Sequence, residues 1–87
     1  MRWMMPSSAQ VAVNSTPVLL AKTNGAPYEV HLHCAAGAVY LDSAGVTTAN
    51  GYKLDNGQMI TITLTTNEEL WAVANTSATL YVLTTVL

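Results

Sequence analysis

The chain has 87 residues, which allows one domain and leaves no room for two. Only 9% of the residues are charged, whereas a typical soluble domain has about 25%. The cations Arg2, Lys22 and Lys53 are scattered and the net charge is −2, so neither nucleic acid nor a membrane surface is an expected partner. Because Cys34 is the only cysteine, an internal disulfide is excluded, and stabilisation is expected from a metal or from oligomerisation.

Apolar residues alternate with a period of two, and turn signals such as Asn24-Gly25 interrupt the alternation at short intervals. The pattern predicts an all-β protein, a small antiparallel β-sandwich of about eight short strands. Residues 1–9 follow no alternation and are predicted to form an N-terminal arm, whereas residues 10–87 are predicted to form the sandwich. The clearest strand segments are residues 10–13, 16–22, 28–34, 38–41, 58–65, 70–74 and 79–84.

Two of these segments show which side chains face the core. In the segment from 28 to 34, Val30, Leu32 and Cys34 are predicted to point inward and the two histidines outward. In the segment from 58 to 65 the aliphatic residues are predicted to point inward and the threonines outward.

The last two segments are apolar on both faces. Residues 70–87 carry no charge, but the polar residues 75–77 divide them, which predicts a hairpin rather than a membrane span. Strands that are apolar on both faces are covered on both faces. We therefore expect a homotrimer interface on the outward side, with cover by the chain's own arm as the alternative. The outward residues are Trp71, Val73, Tyr81 and Leu83.

The pair His31 and His33 is the only metal-like motif. Together with Gly25 it matches the opening of the cupin motif, but Gly37 and Ala38 stand where that motif needs a glutamate. The sequence holds no further histidine to act as a third ligand. We therefore predict no metal and no cofactor, with two polar residues on the outer face of a strand.

The sequence shows no combination of a nucleophile and a base that would support nucleophilic catalysis. Cys34 is predicted to be buried, and Ser43 and Ser77 lie in turns without a base beside them. Glu68 and Glu69 are adjacent, so their carboxylates point in opposite directions along a strand. The sequence therefore predicts a protein that is not an enzyme and that acts by binding and assembly.

The run from Val39 to Leu54 resembles a segment of small head and tail proteins of tailed bacteriophages. It reads valine-tyrosine-leucine, then valine-threonine-threonine followed by Asn50-Gly51. A turn at residues 54–58, an alternating strand, leucine-tryptophan-alanine at residues 70–72 and a final β-branched strand follow in the order of that family.

The resemblance implies a jelly-roll-like β-sandwich that is usually trimeric and has no catalytic residues. It implies a capsid decoration (cement) protein on the outer capsid surface of a virion, with itself and the major capsid protein as partners. The alternative is a tail or fibre module that binds a host receptor or a glycan. Trp, Met and Arg are enriched at interface cores, so the arm residues are expected to bind the capsid. These residues are Arg2, Trp3, Met4 and Met5.

Overall fold

A computed structural model describes residues 7–23 and 25–86 of the chain. These residues form strands joined by turns, and they include no helix long and apolar enough to cross a membrane. The strands are β1 (Ser7–Val13), β2 (Val18–Lys22), β3 (Tyr28–Ala36), β4 (Val39–Asp42), β5 (Tyr52–Leu54), β6 (Met59–Leu64), β7 (Glu69–Val73) and β8 (Ala78–Val86).

The eight strands form two four-stranded antiparallel sheets. The first sheet has the order β1-β8-β3-β6, and the second sheet has the order β2-β7-β4-β5. Only β4 and β5 are neighbours both in sequence and in a sheet, because every other connection crosses between the sheets. This order is that of a jelly roll, and the predicted all-β sandwich is confirmed.

The core lies between the two sheets and follows the alternation seen in the sequence. Val30, Leu32 and Cys34 of β3 are buried, and Leu80 and Val82 of β8 are buried beside them. The aliphatic residues of β6 also face this core, while its threonines are exposed. The inward positions predicted for both strands are therefore confirmed.

Three local features differ from the prediction. First, β1 begins at Ser7, where it pairs with Thr84, three residues before the predicted strand start. Second, the three-residue strand β5 was not predicted, because it is too short to show an alternation. Third, the hairpin predicted for the last two strands is wrong, since β7 and β8 lie in different sheets. A turn sequence specifies a change of direction but not the partner of the next strand.

Thr23 ties the end of β2 to the turn between β6 and β7. It is buried, and its hydroxyl donates to the carbonyl of Thr65 and accepts from the N–H of Glu68 at 2.8 Å. The Glu68 carboxylate in turn accepts from the N–H of Thr65 at 2.6 Å. These bonds fix the point where the chain passes from the first sheet to the second.

Candidate functional site

The outer face of the first sheet carries a shallow groove of about 700 Å³. One row of side chains crosses the sheet there, because Tyr81 of β8 lies opposite both Gln10 of β1 and His33 of β3. His33 in turn lies opposite Met59 of β6. The strand registers therefore place an aromatic ring, an imidazole and a thioether side by side across the sheet.

Large apolar side chains are exposed along this groove. Met59 is 76% exposed, Tyr81 44% and Leu83 38%. The rings of His33 and Tyr81 lie 5.9 Å apart at an interplanar angle of 53°, a tilted contact that orders both side chains. The groove thus presents an apolar surface to its surroundings, in a form typical of a contact surface.

A second row runs parallel to the first and contains Leu83 and His31. His31 Nδ1 lies 3.0 Å from Thr61 Oγ1, and Nε2 lies 3.1 Å from a carboxylate oxygen of Glu29. A carboxylate only accepts, so Nε2 carries the proton and donates to Glu29, and in the neutral ring Nδ1 accepts from the threonine hydroxyl. Both nitrogens of His31 are therefore engaged.

Charge is almost absent from the first sheet. Glu29 is the only charged residue in β1, β8, β3 and β6, and it lies beside His31. The described residues also contain no group of three or more His, Cys, Asp or Glu side chains that could hold a metal ion. The chemistry of this face is that of apolar contact and hydrogen bonds, with Glu29 as its one charged group.

The four residues predicted to form one trimer interface lie on two different faces. Tyr81 and Leu83 are on the outer face of the first sheet, where they line the groove. Trp71 and Val73 are on β7, in the second sheet on the opposite side of the sandwich. A single surface made of all four residues is therefore excluded, which corrects the assumption that the last two strands share an outer face.

Val73 is covered by the chain itself. It is 4% exposed, and it lies beside Val46, which is 3% exposed and belongs to the loop between β4 and β5. Gly51 closes this loop, because a Cβ added there would lie 2.7 Å from the Cβ of Tyr40. Neither another copy nor the N-terminal arm is needed to cover Val73, so both covers expected from the sequence are corrected at this position.

Trp71 is half-buried and has a polar partner in its own strand. Its indole N–H donates to a carboxylate oxygen of Glu69 at 2.9 Å, and the other oxygen of Glu69 lies 3.6 Å from Nζ of Lys22. Leu19 lies opposite Trp71 on the neighbouring strand. On the second sheet the half-buried Trp71 is thus bonded to a charged residue, whereas Tyr81 on the first sheet packs against His33.

The sequence-based choice of site residues was incomplete. Arg2, Trp3, Met4 and Met5 lie outside the described residues, so their role on a capsid stays a prediction. Met59 belongs to the groove but was not selected from the sequence, and His33 was considered there only as a metal ligand or as a polar residue on the outer face. The alternation of β6 contained the signal for Met59, since Ile60 points inward and its neighbour must point outward.

Cys34 is fully buried in the core, and its thiol points to the carbonyl oxygens of Ala36 and Gly37 at 3.6 and 3.4 Å. Burial raises the pKa of the Cys34 thiol above its ordinary value, while the hydrogen bond to Ala36 opposes this shift. A neutral, enclosed thiol is a poor nucleophile and is out of reach of a thiol on another molecule.

No protein-family model matches the sequence, and a comparison with curated proteins gives no match. Among solved structures, the chain is similar to one from Bacillus endospore appendages, described as forming a novel family of disulfide-linked pili. The two share 14% sequence identity with a TM-score of 0.51, over 99% of this chain and 92% of the other. At this identity the likeness establishes a shared fold.

Proposed function

We propose that this chain is a structural virion protein that decorates the outer surface of a phage capsid. In this proposal it is an oligomer, expected to be a homotrimer, and it binds the major capsid protein through the groove on the first sheet. The observation that carries the proposal is the exposed, uncharged face formed by Tyr81, Leu83, His33 and Met59.

The composition of the groove fits protein contact better than small-molecule chemistry. Tyrosine and methionine are enriched at interface cores, and charged residues are depleted there. Full burial of an exposed apolar side chain stabilises a complex by about 1.5–3 kcal/mol before the costs of association. Met59, which is 76% exposed, can contribute most of this amount, and Leu83, which is 38% exposed, contributes less. Both nitrogens of His31 already have partners, which leaves this residue a positioning role within the face.

The capsid as partner comes from the sequence resemblance to phage head and tail proteins. Mass spectrometry of gradient-purified phage particles from the source culture tests it directly. We expect the chain in near-stoichiometric ratio to the major capsid protein. Complete absence from intact particles would contradict the proposal.

The groove itself is tested by a matched pair of tyrosine variants. Tyr81→Asp places a charge in the groove, whereas Tyr52→Asp places one at a tyrosine that is 63% exposed on an edge strand of the second sheet. We expect particles decorated with Tyr52→Asp but not with Tyr81→Asp, although both variants fold. Equal incorporation of the two would show that another surface binds the capsid.

A second candidate is the subunit of an extracellular filament, favoured by the similarity in fold to the endospore appendage. That protein is described as part of disulfide-linked pili, whereas the only cysteine here is buried. A filament of this chain would therefore be held by non-covalent contacts. Electron microscopy of the purified protein distinguishes the candidates, since fibres that persist under reducing conditions would favour the filament.

A further inference from the structure

The open edges of the second sheet carry several features that discourage pairing with another strand. Its edge strand β2 follows Pro17, contains Lys22, and has an irregular register between Leu19 and Ala21. The other edge, β5, has three residues, one of which is Lys53. Proline, lysine, a bulge and a short length are the devices by which proteins block edge-to-edge association.

The open edges of the first sheet carry fewer of these features, although Pro6 precedes β1 in the sequence as Pro17 precedes β2. The edge strands β1 and β6 have seven and six residues, and the residues Ser7–Val13 and Met59–Leu64 include no proline, glycine or charged residue. Their pairings with β8 and β3 run without a register shift over the described residues. A long, regular and uncharged edge is a template for another strand.

The backbone groups available at these edges follow from the hydrogen-bond pattern. Cys34 donates its N–H to the carbonyl of Gln58 at 3.0 Å and accepts from the N–H of Gly57 at 2.7 Å. Because antiparallel strands alternate, the peptide groups of Thr61 and Thr63 point away from β3, toward the open side. The registers of β3 with β8 and of β8 with β1 continue this alternation across the sheet. The peptide groups of Gln10 therefore point away from β8, toward the open side of β1.

We infer that β6 of one copy pairs antiparallel with β1 of the next copy, which extends the first sheet across a subunit boundary. The strand directions permit it, because β1 and β3 run one way and β8 and β6 run the other. A copy placed beside β6 in the same orientation therefore continues the antiparallel alternation. Pairing of β6 with β6 or of β1 with β1 would leave the other bare edge open.

The side chains at the two edges support the same pairing. Ile60 and Ile62 of β6 and Val11 of β1 face the core but remain only partly buried in the single chain. On the outer face, Thr61 and Thr63 would lie level with Ser8 and Gln10 of the next copy, all of them uncharged. Extension of the sheet would complete the burial of the aliphatic residues and continue the groove across the boundary.

This inference rests on the proposal that the chain is an assembly subunit, and it specifies how copies join. A heterologous contact of this kind closes into a ring if its rotation divides a full turn, and otherwise builds an open filament. A trimer on a capsid and a fibre are therefore two outcomes of one contact. The groove reaches both edge strands and includes Gln10, but Thr63 lies outside it, so a change at Thr63 can abolish self-association while the groove stays intact.

The test uses two blocked variants of the whole chain, alone and mixed. Thr63→Lys places a charge on the β6 edge, and Gln10→Lys places one on the β1 edge. We expect wild type to form an oligomer by sedimentation velocity, and each variant alone to be a monomer. An equimolar mixture should form a heterodimer, because the open β6 of one variant meets the open β1 of the other.

The matched control is Thr76→Lys, which adds the same charge in the exposed turn before β8 and should leave the oligomer intact. Formation of the heterodimer also shows that both blocked variants fold. A monomeric wild type, a self-associating Thr63→Lys variant, or a mixture that stays monomeric would each overturn the inference. Capsid binding is measured with the Thr63→Lys variant only, because Gln10 lines the groove. Persistent capsid binding by this monomeric variant would support the groove proposal independently of the edge contact.

Discussion

The two sheets share one core, but their outer surfaces differ in charge and in how far the chain covers them. Each strand of the second sheet carries a charged residue, namely Lys22, Asp42, Lys53 or Glu69, whereas Glu29 alone is charged in the first sheet. The loop between β4 and β5 covers part of the second sheet, while the groove leaves the first sheet open. The difference shows that, among the strands, the shortage of charged residues is concentrated in the first sheet.

This asymmetry has a physical consequence for assembly. Desolvation of a charged group without a partner is costly, so a face with several charges resists burial against another protein. An apolar face without charges carries no such cost, and its exposed side chains favour contact. The first sheet is thus suited to association by its face and by its edges, and the second sheet is suited to remain in water.

The strongest test of this comparison places one charge on each outer face. Val73→Asp would bury an unpaired carboxylate under the loop of the second sheet, and we expect it to lower the free energy of unfolding by about 3–5 kcal/mol. Leu83→Asp lies on the exposed groove, and its free energy of unfolding should change by about 0.5 kcal/mol. Urea denaturation followed by tryptophan fluorescence measures both values. Equal destabilisation by the two variants would show that the two faces are equally closed.

The loop that closes the second sheet can be loosened at Gly51. A methyl group there would lie 2.7 Å from Tyr40 Cβ and 3.0 Å from Val46 Cγ2, so Gly51→Ala must displace the loop. We expect the free energy of unfolding, measured by thermal denaturation, to fall by about 1–3 kcal/mol. Ala44→Ser, an exposed change in the same loop, is the control and should have little effect. An unchanged melting temperature for Gly51→Ala would mean that the loop does not pack as described.

A smaller effect is expected at Thr23, where the chain passes between the sheets. Thr23→Val keeps the shape of the side chain but removes the hydroxyl that accepts from Glu68 N–H and donates to Thr65. We expect a loss of about 1–2 kcal/mol in the free energy of unfolding. Thr23→Ser keeps the hydroxyl and should retain most of this stability. A valine variant as stable as the serine variant would contradict the role assigned to the hydroxyl.

The sequence predicted the inner faces well and the outer faces poorly. The alternation in β3 and β6 identifies buried residues such as Val30 and Leu64, because burial of one face depends on local pattern alone. Cover of an outer face depends on distant segments, as the burial of Val73 beside Val46 shows. For the same reason Trp71 and Tyr81 were placed on one surface, although their strands belong to different sheets.

The smallest expected effect concerns Cys34. This residue lies on the closed inner face of the first sheet, so its protection can be compared with the exposure of the outer face. Burial holds the pKa of this thiol above its ordinary value in the folded chain, while the unfolded chain releases the proton at that ordinary value. Between the ordinary pKa and the raised pKa, the unfolded state binds fewer protons than the folded state. The free energy of unfolding therefore keeps its full value below the ordinary thiol pKa and falls as the pH rises from the ordinary pKa to the raised one. Cys34→Ala removes the thiol, and it should lower stability at neutral pH through the cavity that it leaves.

The two curves of unfolding free energy against pH should therefore converge on the alkaline side, because only wild type loses stability through the thiol. Urea denaturation at a series of pH values measures this difference, and the tyrosines and lysines common to both proteins cancel in the comparison. A thiol reagent gives an independent measurement, since native Cys34 should react only as fast as the chain opens. Parallel curves together with rapid labelling would show that the thiol is accessible, and would place Cys34 among the groups able to link one subunit covalently to another.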